Sequence, residues 1–422
     1  MSRTEAVDDA PGPVGRAAHA LTAWTERWVP DAFVFALIAT VVVIGAGSLE
    51  PASSFVDVVD AWGRGFWDLI PFTLQMALVI VTGHVLATSP PMARAIDAIA
   101  RWPTTPRGAV ALVAWFAMVS AWFNWGFSLI FSAMLARAVA RRLPAADYKA
   151  LGAASFLGLG SIWAQGLSGS AALQMATPGA LSPAIRTIVA AGDVVPGGLI
   201  PFGHTIFLWQ SLLCVAIEII VVTAVMWLAA PPASRARGAA ALGISLTDGA
   251  VTARDPSPVR TPGAWLEESP LLTIAMVGLG VLYLARYFAA AGEPLNALNL
   301  NVVNLVFLMT GFALHGTPMR LMAVVQRATP AVWGVLLQFP FYAGIAGVIT
   351  ATHLNERLAG AFVRWSTPET FPALVALYST VLGVFVPSGG SKWVIEAPYV
   401  MAAAHGLRVH LGWVVAAYDL GE

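Results

Sequence analysis

The sequence predicts an all-α polytopic membrane protein with inverted structural repeats, two re-entrant helical hairpins and broken helices. Three observations predict it. The apolar runs are long and almost free of charge. Arginine clusters lie too close together for full spans between them. A weak internal repeat puts helix-breaking residues at equivalent positions.

Of the 422 residues, 58% are hydrophobic and only 11% charged, whereas a soluble domain is about one quarter charged. Uncharged runs cover 32–49, 69–93, 108–136, 150–185, 194–217, 294–319 and 328–355. A membrane-crossing helix needs about 20 apolar residues, and runs this long without alternation do not suit a membrane barrel. Cys214 is the single cysteine, which excludes an internal disulfide and a multi-cysteine metal site. With a formal net charge of zero, no nucleic-acid partner is expected.

Residues 1–31 are polar and carry charges of both signs. They are too long for the basic start of a cleavable signal and read as a cytoplasmic segment with an interfacial helix. The first repeat then runs from 32 to 229, with spans at 32–50, 66–89 and 200–229. Only two of the 23 basic residues are lysines, and the arginines cluster in particular loops: Arg94, Arg101 and Arg107; then Arg137, Arg141 and Arg142; then Arg235, Arg237, Arg254 and Arg260. The positive-inside rule puts these loops in the cytoplasm. Between the first two clusters lie only the 29 residues 108–136, whereas two spans need about 40. A hairpin over 108–142, entering from the cytoplasm and turning near "NWGFS" (124–128), resolves the conflict. The polar, Pro/Gly-rich stretch 230–267 reads as a cytoplasmic linker. A second repeat follows at 268–422, with spans at 270–290, 297–314 and 331–353.

A shift of 263 residues superimposes parts of the two halves. Arg64 falls on Arg327, Leu74–Gln75 on Leu337–Gln338, Arg94 on Arg357 and Arg101–Trp102 on Arg364–Trp365. Over 64–128, 11 of 65 positions are identical, against roughly five by chance for such a composition. The hairpin tip "NWGFS" aligns with "PSGGS" (387–391). Five spans separate the repeats, so the second copy is inverted and its hairpin, 370–405, enters from outside. Two broken hairpins meeting at mid-membrane from opposite sides point to a secondary transporter.

The stretch "VFVPSGGSKWVIEAP" (384–398) then makes sense. Pro387 ends the incoming half-helix, Gly389 and Gly390 permit the turn, and the outgoing half-helix starts near Ser391. Its free N–H groups and dipole favour an anion, and Lys392 adds a full charge.

The segments "WGRGFWDLIPFTLQMALVIVTGHVLATSPP", "NWGFSLIFSAMLARAVARRLP", "LLQFPFYAGI" and "VPSGGSKWVIEAPYVMAAA" resemble the short-chain fatty acid uptake transporters, over about residues 20 to 418. The resemblance implies the ion-transporter superfamily with elevator-like motion. It also implies the bacterial inner membrane, a small monocarboxylate of acetoacetate or butyrate type, and a homodimer. The chain departs from the family pattern at Lys392 and Glu396, where relatives carry histidine and glutamine. The resemblance also implies a further broken helix and a final span beyond "AAYDLGE". At the 263 offset the mate of "GLSGS" would begin near position 429, so the second repeat reads as truncated.

The candidate substrate ligands are Asn124, Ser128, Ser168, Ser170, Ser388, Gly389, Gly390, Ser391 and Lys392, with Glu396 as the coupling acid for H+ or Na+. Each has a structural alternative. Short polar groups at helix breaks cap local backbone, and Lys392 and Glu396, one turn apart, are placed to neutralise each other. Intramembrane charges favour function. Gln75 and Gln338 read as helix ties, Glu218 as a buried acid of open role, and Arg94, Arg101, Arg357 and Arg364 as snorkelling anchors. "GLSG" (166–169) also matches the nucleophile segment of an intramembrane serine hydrolase, which needs a histidine base, His204 or His353. Walker A and HExxH motifs are absent and no cofactor is expected. A transporter rather than an enzyme is the reading the repeat favours.

Overall fold

The computed structural model describes residues 13–169, 171–177, 179–181, 183–191, 198–232, 234–246, 261–295, 297–352, 354–384 and 389–422. Among these the chain is helical with no strand. The N-terminal helix α1 (Pro13–Trp28) meets α2 (Ala32–Ser48) at a bend of 56°. α3 (Phe55–Gly65) starts at a capping box, in which Ser54 accepts from the Asp57 N–H and the Asp57 side chain accepts from the Ser54 N–H. α4 (Ile70–Ala87) and α5 (Pro90–Ile99) both start with proline in the first turn, where its missing N–H costs nothing.

α6 (Pro106–Phe123) and α7 (Trp125–Arg142) form the first hairpin, with Asn124 alone between them. Each arm is 18 residues and runs past the uncharged stretch to include Arg107 at one end and Arg137, Arg141 and Arg142 at the other. α8 (Tyr148–Leu157) loosens into a π-helical turn at Gly158–Ile162 and a short 3₁₀ turn at Trp163–Gln165. α9 (Ala171–Ala176) and α10 (Pro183–Ala191) follow.

α11 (Trp209–Ala229) is shorter than the 200–229 span predicted, because Phe202–His204 form a separate turn before it. The described part of the linker is docked. The Arg237 N–H donates to Asp147 Oδ2 at 2.9 Å, and the Tyr148 N–H donates to the Arg237 carbonyl at 3.0 Å. α12 (Pro262–Glu268), α13 (Pro270–Ala290), α14 (Leu300–His315), α15 (Pro318–Ala328) and α16 (Trp333–Ala351) lead to α17 (Leu354–Trp365). The second hairpin is α18 (Phe371–Gly383) and α19 (Gly389–Gly406), and α20 (Leu411–Gly421) closes the described chain.

The 263-residue repeat reappears in the helix boundaries. α3 maps onto α15 residue for residue, and the first residues of α4 and α8 map onto those of α16 and α20. Packing repeats as well, and it crosses between halves. α2 and α3 pack on α16, and their equivalents α14 and α15 pack on α4. α7 packs on α4 as α19 does on α16, and α8 on α6 as α20 does on α18. Such reciprocal contacts give the chain a pseudo-two-fold arrangement. At one crossing a Cβ on Gly347 would lie 2.8 Å from the Ala61 carbonyl oxygen and one on Gly65 3.0 Å from the Gly347 Cα, so the paired glycines let these backbones approach.

Among the described residues two large apolar cores result, beside a small third cluster of Val85, Leu321 and Val324. One gathers α6, α7 and α8; the other gathers α9, α16, α19 and α20. Ile70–Ala87, Pro106–Phe123, Trp209–Ala229, Pro270–Ala290 and the run Pro318–Ala351 are long and apolar enough to cross a bilayer. α11 and α13 are only 6% buried in their apolar windows, as helices facing lipid are.

Candidate functional site: two helix breaks around one segment

At the first tip Asn124 is in extended conformation (φ −160°, ψ 117°), which ends α6 and starts α7. Its Oδ1 accepts from the Phe127 N–H at 2.7 Å as an N-cap. Its Nδ2 is buried with no acceptor among the described residues. The next N–H, of Trp125, donates to Ser168 Oγ at 2.9 Å, and the Leu167 N–H donates to the Trp122 carbonyl at 2.7 Å. The "GLSG" break thus rests on the hairpin tip. Ser128 Oγ donates to the Ala117 carbonyl at 2.6 Å and ties the two arms together. Its hydroxyl is spent on structure, as the capping alternative anticipated.

The second tip is built differently. Ser388, Pro387 and Ser170 lie outside the described residues. Gly389, Gly390, Ser391 and Lys392 form the first turn of α19 and are all buried. Gln174 on α9 donates through Nε2 to the Gly390 carbonyl at 2.6 Å. The segment 166–176 therefore touches both tips, with Ser168 on the first and Gln174 on the second.

Lys392 and Glu396 do not pair with each other, which corrects the self-neutralising reading. Lys392 Nζ turns toward α18 and α20. It donates to the Ser379 carbonyl at 2.8 Å and forms an ion pair with Glu422 at 2.9 Å, both side chains being 2% exposed. Ser379 Oγ accepts from Lys392 and donates to Glu422, each at 3.3 Å. Glu396 takes its hydrogen bond from Tyr418, whose hydroxyl donates to Oε2 at 2.6 Å. Tyr378 and Tyr399 share a hydrogen bond of 2.7 Å beside them. Next to Tyr418, the Asp419 carboxylate accepts from the Ala171 N–H at 3.1 Å and the Ala172 N–H at 3.0 Å.

Sequence reasoning missed Ser379, Tyr418, Asp419 and Glu422. The signal was available in "AAYDLGE", which puts two acids into an apolar helix, the pattern already heeded at Lys392.

Elsewhere, Gln75 donates to Asn301 Oδ1 at 2.7 Å and joins α4 to α14, the tie expected of it. Glu218 accepts from Gln165 Nε2 at 2.6 Å, which fastens the turn before "GLSG" to α11. Arg94 and Arg364 sit on the short helices α5 and α17, and Arg357 on α17 reaches Glu50 at 2.9 Å. The nucleophile–base pair of a hydrolase is not formed by Ser168 and His204. Ser168 accepts from Trp125, and His204 stacks on His410 with ring centroids 6.1 Å apart. His353 lies outside the described residues.

Known proteins resemble the chain over almost its whole length. The family profile "Short chain fatty acid transporter" matches residues 14–422. A protein of Escherichia coli (strain K12) is 36% identical over 412 residues, covering 97% of this chain and 89% of its own length. One of Haemophilus influenzae (strain ATCC 51907 / DSM 11121 / KW20 / Rd) is 34% identical over 415 residues with the same coverage. Both are named "Putative short-chain fatty acid transporter". Among solved structures, the Alcanivorax borkumensis YdaH transporter, described as having an unusual topology, aligns with a TM-score of 0.52. It covers 93% of this chain and 86% of its own at 14% identity, a likeness of fold alone. These relatives are transporters, not enzymes, and this multi-pass membrane protein belongs to the short-chain fatty acid transporter family.

Proposed function

We propose that the chain takes up short-chain monocarboxylates, of the acetoacetate or butyrate type, by alternating access across the bacterial inner membrane, coupled to H+ or Na+. The N-terminus is cytoplasmic, and the two hairpins are re-entrant, approaching mid-membrane from opposite sides. The observation that carries this reading is the contact of one broken segment, 166–176, with both hairpin tips. A substrate held there is gated by whichever hairpin moves.

A small carboxylate needs N–H or O–H donors more than a pocket. Asn124 Nδ2, buried without an acceptor, is the leading donor at the first tip. Ser168 and the first turn of α19, Gly389–Ser391, supply further groups, and Ser170 and Ser388 complete the proposed ligand set. Lys392, already paired with Glu422, acts as a fixed counter-charge rather than as a direct ligand. Glu396 is the coupling group.

Uptake of labelled butyrate or acetoacetate into proteoliposomes, under imposed pH and sodium gradients, tests the reading. Accumulation above the equilibrium level under either gradient supports it. Neither accumulation nor counterflow exchange of any short-chain carboxylate would overturn it.

A further inference from the structure

We propose that Lys392, Glu396 and Glu422 form a single-proton site, and that the proton resides on Glu396 Oε1 and travels with the substrate. This names the coupling ion of the transporter read above and rests on that reading. Glu422, Ser379 and Tyr418 have no role in the site as read from the sequence.

The inference is a charge count in a closed space. Lys392, Glu396 and Glu422 are buried together between α18, α19 and α20. One ammonium faces two carboxylates. Glu422 is held at 2.9 Å from Lys392 Nζ, with Ser379 bridging the pair. That leaves Glu396 with no cation of its own. The groups acting on it are Lys392 from its own helix, Tyr418 and Glu422 from the α20 side, and Tyr378 from α18. None of these adds a second positive charge.

Other charges do not close the gap. Asp419 is acidic too, but two backbone N–H groups at the start of α9 satisfy it. Of the other helices packed on α19, α16 brings Tyr342. α10 and α17 bring Arg186, Glu356, Arg357 and Arg364, which are exposed. An uncompensated buried carboxylate is costly enough that such a group takes up a proton instead.

The geometry also says where the proton goes. Tyr418 donates to Oε2, so Oε1 is the oxygen left to carry it. On one side of the membrane H+ adds to a lone pair of the carboxylate, giving a neutral acid. On the other side the same O–H bond breaks and H+ returns to water. One proton moving with one monocarboxylate anion carries no net charge. Sodium would balance the charge equally, but with Glu422 engaged by Lys392 and Ser379 a lone Glu396 carboxylate offers a metal cation too few oxygen ligands.

The test varies the count while keeping the shapes. The readout is the ratio of ΔpH-driven accumulation to counterflow exchange within each variant. Glu396→Gln and Glu422→Gln each leave one cation and one anion, and the ratio is expected to fall at least tenfold. The double variant Lys392→Met/Glu422→Gln again leaves a lone carboxylate, and its ratio is expected to recover at least fivefold over that of Glu422→Gln, whatever exchange activity the loss of Lys392 costs. A second readout does not need transport. The infrared C=O stretch of a buried protonated carboxyl should be present in wild type and in the double variant, and absent in both single variants. Wild type that exchanges carboxylate but accumulates it only under a sodium gradient, or single variants that keep the ΔpH ratio or the infrared band, would overturn the proton site and leave the transporter reading standing. Absence of exchange by wild type would remove the transporter reading itself.

Discussion

Substituting Gly83 by alanine tests the contact on which the first tip depends. Gly83 lies on α4 where α7 crosses it, and its missing side chain makes room for the tip. An added Cβ would lie 2.6 Å from the Gly126 carbonyl carbon and 2.7 Å from Asn124 Oδ1. The Phe127 backbone nitrogen stands closer still, and since ordinary contact begins at 3.4 Å, α4 and α7 must part by more than the 0.8 Å that separates 3.4 from 2.6. No flexible side-chain end is there to yield, since the obstacles are backbone and a capping oxygen. Overpacking of this kind costs about 1–3 kcal/mol. Disturbing the Asn124–Phe127 cap adds about 1 kcal/mol, and alanine returns about 1 kcal/mol through helix propensity. A net loss of about 1–3 kcal/mol is expected. Gly45→Ala on α2 is the control, because its Cβ would meet nothing within 4 Å, and it should be neutral or slightly stabilising. Thermal unfolding of the two purified variants in one detergent measures the difference, and counterflow exchange reports whether the tip still works. Equal melting temperatures for the two variants would refute the claim that the tip is seated by this glycine.

Other predictions follow the same geometry. Asn124→Ala should lose about 1 kcal/mol of helix capping and also lose uptake, whereas Asn124→Ser should recover the melting temperature but not the uptake, since serine caps without the Nδ2 donors. Asp419→Ala removes the acceptor of two α9 N–H groups and should cost about 3 kcal/mol in thermal unfolding, with Asp419→Asn losing less. Lys392→Met should destabilise by about 3–5 kcal/mol, and adding Glu422→Gln should recover most of that, as the second change removes the stranded carboxylate.

Much of the fold was legible because it follows from composition and spacing. Apolar runs became helices close to where they were placed, since burial and backbone satisfaction in an apolar medium allow little else. The helix break at Asn124 was legible in "NWGFS", but the residue count that argued against full spans was not decisive, since α6 takes in Arg107 and is itself long and apolar enough to cross a bilayer. The repeat was weak in sequence yet strong in helix boundaries. Packing constrains where helices start and stop more tightly than which apolar residue fills each site. The partners of Lys392 were not legible. Periodicity brings Glu396 to the same helix face, and nothing local reveals that α18 and α20 offer closer ligands. The two jobs of Asn124 were hidden for a similar reason. One side-chain oxygen caps α7 whatever the tertiary fold, whereas the unmet need of Nδ2 becomes visible only once its surroundings are closed.

The two tips divide their labour, and the repeat shows how. At matched positions the first tip has Gly126 and Ser128, and the second has Gly389 and Ser391. Both therefore inherit the small residues that let a backbone turn in close quarters. One residue later they diverge, with Leu129 in the first half and Lys392 in the second. The first tip is electrically neutral; Ser168 holds it to the 166–169 break and Ser128 ties its two arms together, while Asn124 Nδ2 and the Trp122 and Trp125 indole N–H groups are buried without a partner among the described residues. The second tip carries the ammonium of Lys392, with Glu396 one turn further along α19 and Glu422 reaching it from the end of α20. A neutral donor can hold and release a carboxylate without a large change in field. A buried charge cluster cannot change its occupancy without taking up or losing a counter-charge. On this contrast we propose recognition at the first tip and energy coupling at the second. The segment between Ser168 and Gln174 touches both tips, and α4 does so as well, with Val79 and Gly83 beside the first tip and Phe72 beside Gly390 of the second, so displacement of either hairpin disturbs elements that also seat the other.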